Sequence, residues 1–383
     1  MNILYINYEF PPLGGGGGVA NFYVAKILAQ NHNVVVITSL FKGLDKFSNI
    51  FNINIYRVPV LFRAKKEISS FFSLLFFIPS ALYQGYKLLK KNKIDLINAH
   101  FAIPSGIVGV ILSKIFKIPC IISTHGGDIY DPSKKFSPHK NFILKKIVSY
   151  VLKNSKKIVV VSSDMKNKIN KYYQIFDNIQ IIPNPLPIMN YKVVSRKELN
   201  LDSKTFIIIS IGRLIKRKRY DILLKALSCF ENKEKILLII IGEGPERKKL
   251  EELKKQLKIN VQFLGYLTEQ EKFNYLSYSD LFVLPSSHEA FGIVFLEAMY
   301  SALSIIAEKN GGQVDFLKNE ENAFLVDFTN FKEVCEKISL LFNDENLRKK
   351  MGNANKEKVK EYSLEKISLM YENLYKEILK KNV

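Results

Sequence analysis

Two glutamates, Glu289 and Glu297, stand with seven residues between them in the stretch Leu284-Pro285-Ser286-Ser287-His288-Glu289-Ala290-Phe291-Gly292-Ile293-Val294-Phe295-Leu296-Glu297. The apolar run before Pro285 reads as a buried strand and the run from Phe291 as a helix, so Glu289 falls in the turn and Glu297 two turns down the helix. Paired carboxylates suggest glycoside hydrolysis, but that chemistry needs them about 5 to 9.5 Å apart across one bond. Two helical turns separate them by about 12 Å. They suit two parts of one elongated ligand instead, with the amides at Gly292, Ile293 and Val294 presented to a phosphate at the helix start.

A second group of residues, Gly212-Arg213-Leu214 followed by Lys216-Arg217-Lys218-Arg219, closes another apolar run. Fixed cations at a strand end neutralise the charge that grows on a departing diphosphate. A solvated surface run is the plainer reading for Arg217 and Arg219, and a poorer one for Arg213, which abuts the strand. His125-Gly126-Gly127-Asp128 lies just past Cys120-Ile121-Ile122, at the edge where open α/β sheets build their sites, and Asn98-Ala99-His100 brings a second histidine to that edge. A structural histidine is as common an outcome there as a functional one. Five glycines, Gly14 to Gly18, join the first strand to a helix opening at Val19-Ala20. Gly15, Gly16 and Gly17 would let the backbone approach phosphates, with a structural turn as the alternative. The loose dinucleotide match Gly15-x-Gly17-x-x-Ala20 carries little weight, because the second strand ends at Thr38 with no acidic residue for a cofactor ribose.

The elements that must hold these residues alternate. Continuous runs such as Val34-Val35-Val36-Ile37, Leu96-Ile97-Asn98, Ile158-Val159-Val160-Val161, Phe206-Ile207-Ile208-Ile209 and Leu281-Phe282-Val283-Leu284 read as strands buried on both faces, with helix-length segments between most of them. That order predicts two doubly wound α/β domains. Ile182-Pro183-Asn184-Pro185-Leu186-Pro187 excludes helix and predicts a stiff connector through about residue 203. The domains are expected at 1–188 and 189–362. A tail helix over 363–383, amphipathic through Ile367, Met370, Leu374 and Ile378, is expected to pack back on the first domain.

The chain of 383 residues carries a formal charge of +21. Residues 1 to 190 hold 24 Lys and Arg against 8 Asp and Glu, net +16, while residues 191 to 383 hold 33 against 28, net +5. The imbalance fits an anionic partner such as nucleic acid, a phosphorylated substrate or an acidic membrane face, or lysines that are merely solvated. Residues 71–83 are strongly apolar but too short, with Pro79, to span about 30 Å of hydrocarbon. They predict a buried crossover helix, or an aromatic face lying on an anionic membrane beside Arg63, Lys65, Lys66, Lys87, Lys90, Lys91 and Lys93. Three scattered cysteines and a start that reads as a strand fit a reduced cytoplasmic setting.

Taken in order, the glycine loop, His125-Gly126-Gly127-Asp128, Gly212-Arg213-Leu214 with Lys218, Ile241-Gly242-Glu243-Gly244-Pro245, Phe263-Leu264-Gly265, Glu289 with Glu297, and Gly311-Gly312 resemble the retaining nucleotide-sugar glycosyltransferases of family four. The resemblance covers nearly the whole chain. It implies the GT-B fold, two Rossmann-like domains facing across a cleft, and a UDP- or GDP-sugar donor as co-substrate rather than a cofactor. Arg213 and Lys218 would then hold the diphosphate, with the amides of Gly292 to Val294 beside Phe291, and Glu297 the ribose. Glu289 would contact the donor sugar, His125 would approach it with Asp128 nearby, and Gly265 with Tyr266 would line the base. A glycan or lipid-linked acceptor is expected, with an anionic membrane surface as a further partner and the inner face of the cell membrane as the place of work.

No Asp-x-Asp occurs, so a metal-bound diphosphate has no obvious ligands in the sequence. Arg219 stands where the family has glycine, Ala302 and Ser304 where it has Gly-x-Pro, and Asp315 where it often has glutamate. A sugar-nucleotide epimerase or phosphorylase on the same fold, and a non-catalytic binder of anionic ligands, are the rival readings. Nucleic acid is set aside, because no aromatic residues are interleaved with basic ones in a recognisable motif.

Overall fold

The computed structural model describes residues 1–63, 71–134, 136–187, 191 and 193–380. The chain divides into two units, Met1–Pro187 with the residues from Tyr362 onward, and a second unit ending at Glu361. The expected boundary at 188, and residues 189, 190 and 192 of the expected connector, fall outside the described residues, as do Lys65, Lys66 and 381–383.

The first unit opens with β1 (Asn2–Asn7), α1 (Gly16–Leu28), β2 (Asn33–Ser39), β3 (Phe47–Ile50), β4 (Ile53–Val58) and α2 (Phe71–Lys91). It continues with β5 (Leu96–His100), α3 (Ile107–Phe116), β6 (Cys120–Ser123), α4 (Phe142–Lys153), β7 (Lys157–Val160), α5 (Ser163–Tyr173) and β8 (Ile179–Ile181). Among the described residues its sheet has the order β3-β4-β2-β1-β5-β6-β7-β8. The pairings are parallel except for β3 with β4. That antiparallel edge strand has no signature in the sequence reading, because its half-exposed Phe47-Ser48-Asn49-Ile50 lacks the apolar run that marks the buried strands. The central strand shows why the runs are continuous: Ile3, Leu4, Tyr5 and Ile6 are all fully buried.

The second unit contains β9 (Phe206–Ile211), α6 (Tyr220–Ser228), β10 (Ile236–Ile241), α7 (Arg247–Leu257), β11 (Val261–Gly265) and α8 (Glu269–Ser277). After these come β12 (Leu281–Leu284), α9 (Ile293–Tyr300), β13 (Ser304–Glu308), β14 (Phe324–Val326), α10 (Phe331–Asn343) and α11 (Glu345–Lys358). Its sheet is parallel in the order β11-β10-β9-β12-β13-β14.

The strand order reverses between β1 and β5 in the first sheet and between β9 and β12 in the second. At such a point the two flanking crossovers leave on opposite faces and open a crevice beyond the carboxyl ends of the strands. The glycine loop follows β1, His100 ends β5, Gly212-Arg213 follows β9 and the turn to Glu289 follows β12, so the topology delivers each candidate residue to the edge its chemistry requires.

Three local expectations are corrected. The first helix opens at Gly16, not Val19, so Gly16, Gly17 and Gly18 form its first turn with Gly15 as N-cap, and the Val19 amide already donates to the Gly15 carbonyl at 3.2 Å. The helix bearing Glu297 opens at Ile293, because Gly292 takes a left-handed φ of 86° that glycine alone adopts at little cost. The segment at 71–83 belongs to a longer helix, α2, with Pro79 inside. Phe77, Ala81 and Leu88 are buried, while Phe72, Leu75, Phe76, Tyr83 and Tyr86 are exposed, so one face is core and the other an apolar surface. Lys87, Lys90, Lys91 and Lys93 are exposed beside it. Arg63 turns inward, donating to Ser39 Oγ at 2.8 Å and stacking 4.8 Å from the centre of the Tyr8 ring, and so leaves the expected cationic rim.

The tail helix α12 (Leu364–Lys380) belongs to the first unit. Its Ile367, Leu374, Tyr375 and Ile378 join the core formed by Val24 and Leu28 of α1 with β1 and β2. The Tyr375 hydroxyl lies 3.0 Å from that of Tyr5 and accepts from Asn98 at 2.6 Å, which satisfies polar groups that burial would otherwise penalise.

Candidate functional site

In the second unit the turn 216–218 after β9 carries Lys218 against the turn that follows β12. Lys218 Nζ donates to Glu289 Oε1 at 2.6 Å, and both side chains are buried. The turn itself is held by backbone, with the Gly312 amide donating to the Glu289 carbonyl at 2.7 Å. Burial pushes the Glu289 carboxyl upward, but Lys218 and Arg217 outweigh it and hold the group below its ordinary value. The carboxylate form of Glu289 is therefore favoured, and a lysine head group has further N–H donors beyond the one given to Glu289.

Glu297, on α9, is also buried and also matched with a lysine. Lys272 Nζ of α8 donates to Glu297 Oε1 at 2.7 Å and to Glu269 Oε2 at 2.8 Å. Burial outweighs Lys272 for this carboxyl, which lies above its ordinary value. Lys272 was not foreseen from the sequence; a lysine in the first turn of a polar helix carries no mark that distinguishes it from a solvated one.

The arginines reverse expectation. Arg213 is exposed and has no ionic partner among the described residues. Arg217 and Arg219, the ones suited to a solvated run, are tied down: Arg217 Nη1 donates to the His288 carbonyl at 2.7 Å, and Arg219 Nε to the Pro285 carbonyl at 2.7 Å. Arg219 also pairs with buried Glu308 at the end of β13. Its φ of 49° explains why glycine suits this position. Phe291, expected beside the ligand, is 2% exposed and packs on Phe316 with ring centres 5.0 Å apart, so its side chain is core. Ile293 and Val294 are half-buried at the start of α9, and Gly265 ends β11 just before Tyr266, which is 81% exposed.

In the first unit two histidines meet at the edge. His125 Nε2 lies 3.1 Å from Asn21 Nδ2 and 3.3 Å from His100 Nδ1. An amide N–H₂ only donates, so Nε2 accepts and the ring proton sits on Nδ1. Burial lowers the His125 pKa to about 4, and burial with the neighbouring His125 holds His100 well below its ordinary value. Both rings are uncharged near neutral pH. A Cβ on Gly17 would stand 3.3 Å from His125 Cγ, so the absence of a side chain lets the first turn of α1 lie against the ring. Asn21 was missed: a polar residue on the buried side of α1 is the signal that could have found it.

Asp128 turns its carboxylate inward. Oδ2 accepts from the Ala102 amide at 2.8 Å and Oδ1 from the His125 amide at 3.0 Å, so both oxygens brace the loop that carries His125 and the expected contact with substrate through this carboxylate is not what the geometry offers. Burial raises its pKa and these amides oppose the rise. Among the described residues no group of three or more His, Cys, Asp or Glu is arranged to hold a metal ion, and no helix is long and apolar enough to cross a membrane.

Comparison with known proteins divides along the same line as the fold. Residues 14–188 match the family described as Glycosyltransferase Family 4, and residues 192–358 match Glycosyl transferases group 1. An uncharacterised glycosyltransferase of Methanocaldococcus jannaschii is 29% identical over 99% of both chains. The capsular polysaccharide biosynthesis glycosyltransferase CapM of Staphylococcus aureus is 24% identical over 92% of each. Among solved structures, Anabaena HepE in complex with UDP-glucose shares the fold with a TM-score of 0.78 at 19% identity, over 98% of this chain and 99% of that one.

Proposed function

The chain belongs to the group 1 glycosyltransferases, of GT-B fold, and from that premise we propose that it moves a hexose-type sugar from a UDP- or GDP-sugar to a glycan or lipid-linked acceptor with retention of configuration. The observation that carries this reading is the second unit's edge, where Lys218, Glu289, Lys272 and Glu297 are buried as two ion pairs beside the start of α9 and exposed Arg213. Such a site offers cations and amides to a diphosphate and carboxylates to hydroxyls.

In the proposed reaction the bond from the anomeric carbon to the diphosphate oxygen lengthens first. Lys218, Arg213 and the amides of Ile293 and Val294 take up the charge left on the diphosphate. Glu289 orients the sugar hydroxyls and Glu297 the ribose, and His125 is the first unit's candidate for contact with substrate through its Nδ1–H. The acceptor oxygen bonds to the anomeric carbon on the face the leaving group quits, and its proton passes to the departing diphosphate. Tyr266 and Gly265 flank the base. The charges are met by side chains and helix amides, so no metal or cofactor is assigned.

Work on cell-surface glycan or glycolipid is supported by the capsular relative and by α2, whose exposed Phe72, Phe76 and Tyr83 lie beside Lys87, Lys90, Lys91 and Lys93. That combination suits the anionic cytoplasmic face of a membrane. The test is a panel of nucleotide sugars read by thermal protection, since a true donor stabilises by mass action, followed by the product formed with added acceptor. A sugar released in altered form without acceptor turns the reading to an epimerase. EDTA is expected to leave turnover unchanged.

A further inference from the structure

The two buried lysine–glutamate pairs are finished differently. Glu297 Oε1 accepts from Lys272 at 2.7 Å, while its Oε2 is buried without a hydrogen-bond partner among the described residues. An ionised carboxylate oxygen only accepts, and buried polar atoms are rarely left unmatched, so Oε2 is a place for a donor that the protein does not supply. Lys272 is anchored from below. Thr268 caps α8 through a reciprocal pair with Glu271, which fixes the first turn, and Glu269 Oε2 takes another Lys272 N–H at 2.8 Å. Lys272 itself is only 7% exposed, so its stem has little room to swing.

We infer that Lys272 is a positioning residue that locks the Glu297 carboxylate with Oε2 turned to the nucleotide's ribose hydroxyls, and that it thereby makes the site select ribose over 2′-deoxyribose. The inference rests on the proposed contact between Glu297 and ribose. Without Lys272 the carboxylate loses the one fixed hydrogen bond it has among the described residues, and burial, which already raises its pKa, favours the protonated form, which presents a hydroxyl where an acceptor is needed.

The experiment measures UDP, GDP and their 2′-deoxy forms by calorimetry on the full chain. Wild type is expected to bind one ribonucleotide at least about tenfold more tightly than its 2′-deoxy form, because a site built for a hydroxyl is left unpaired by its absence. In K272M that ratio falls to within about threefold, and K272R restores it. The double variant K272M/E297Q removes both charges, so it tests the coupling even where K272M folds poorly, and it is expected to bind the ribonucleotide as E297Q alone does. A wild-type protein that binds neither diphosphate overturns the donor reading and this inference together. Equal binding of the ribo and 2′-deoxy forms by wild type overturns the Glu297–ribose contact while nucleotide binding stands. A K272M protein that still discriminates as wild type, or a further loss in the double variant beyond E297Q, overturns the role of Lys272 alone.

Discussion

At the sheet edge of the first unit the side chains that meet the His125 ring are an imidazole and an amide, with His125, His100 and Asn21 sharing hydrogen bonds, whereas at the edge of the second the buried carboxylates Glu289 and Glu297 each meet a lysine. The charge of the two halves runs the other way: the first 190 residues carry net +16 and the rest net +5. The first half's excess is spent on exposed positions such as Lys87, Lys90, Lys91 and Lys93. The second half balances each buried cation with a carboxylate, so its site vanishes from any net count. Net charge therefore reports the surface, and the location of a reaction's charged groups has to be read from pairing.

The contrast can be broken at its strongest point first. K218M is expected to lose at least about a hundredfold in turnover, as when one fixed donor to developing charge is removed. Its melting temperature should drop as well, since a broken buried pair costs about 3–5 kcal/mol. Near-normal turnover in a folded K218M protein would remove the second unit's ion pairs from the chemistry. In the first unit, H125Q is expected to lower kcat by about tenfold or more, in keeping with loss of a positioned group, while the Kd for nucleoside diphosphate stays within about twofold because that ligand is assigned to the other unit.

The neutrality of the imidazoles can be sharpened by pH. His125 has its folded pKa lowered from 6.5 to about 4 by burial. Between those values the unfolded chain binds the proton and the folded chain does not, so this group's contribution is present above pH 6.5 and is lost as pH falls toward 4. Plotted against pH from 6.5 to 5, the melting temperature of H125Q should fall less steeply than that of wild type. Parallel slopes would mean that the ring is charged in the folded protein.

Smaller effects test the surface and the backbone. K90E/K91E should weaken binding to anionic vesicles at low salt by roughly tenfold or more, given about 1 kcal/mol for each basic residue near such a surface. Wild-type protein that ignores those vesicles would return the first half's lysines to ordinary solvation. Ala302 has a φ of 55°, a left-handed conformation that costs a residue with a Cβ about 1–2 kcal/mol. A302G should therefore raise stability by about 1 kcal/mol in denaturant titration, with activity unchanged.

Much of the fold was legible because strands buried on both faces must be uninterrupted apolar runs, as at Phe206–Ile211 and Leu281–Leu284. The edge strand Phe47–Ile50 was not, since a strand paired on one side only and partly exposed carries no such run. At the candidate site, Glu289, Lys218 and His125 could be singled out in the sequence because turns after strands are where open sheets expose function, and Glu297 by its spacing from Glu289. Phe291 and Asp128 were misread, one being core and the other a loop brace, because sequence position gives a residue's edge and not the direction of its side chain.

What the amino-acid order settled by itself is the alternation of strands and helices, the family, and which turns carry charged or glycine-rich stretches, since these depend on periodicity and local backbone preference. Tertiary structure alone decided which charges meet. Lys272 reaches Glu297 across 25 positions and Lys218 reaches Glu289 across 71, and no local rule encodes pairs whose partners are brought together only when parallel strands align and exclude water between them.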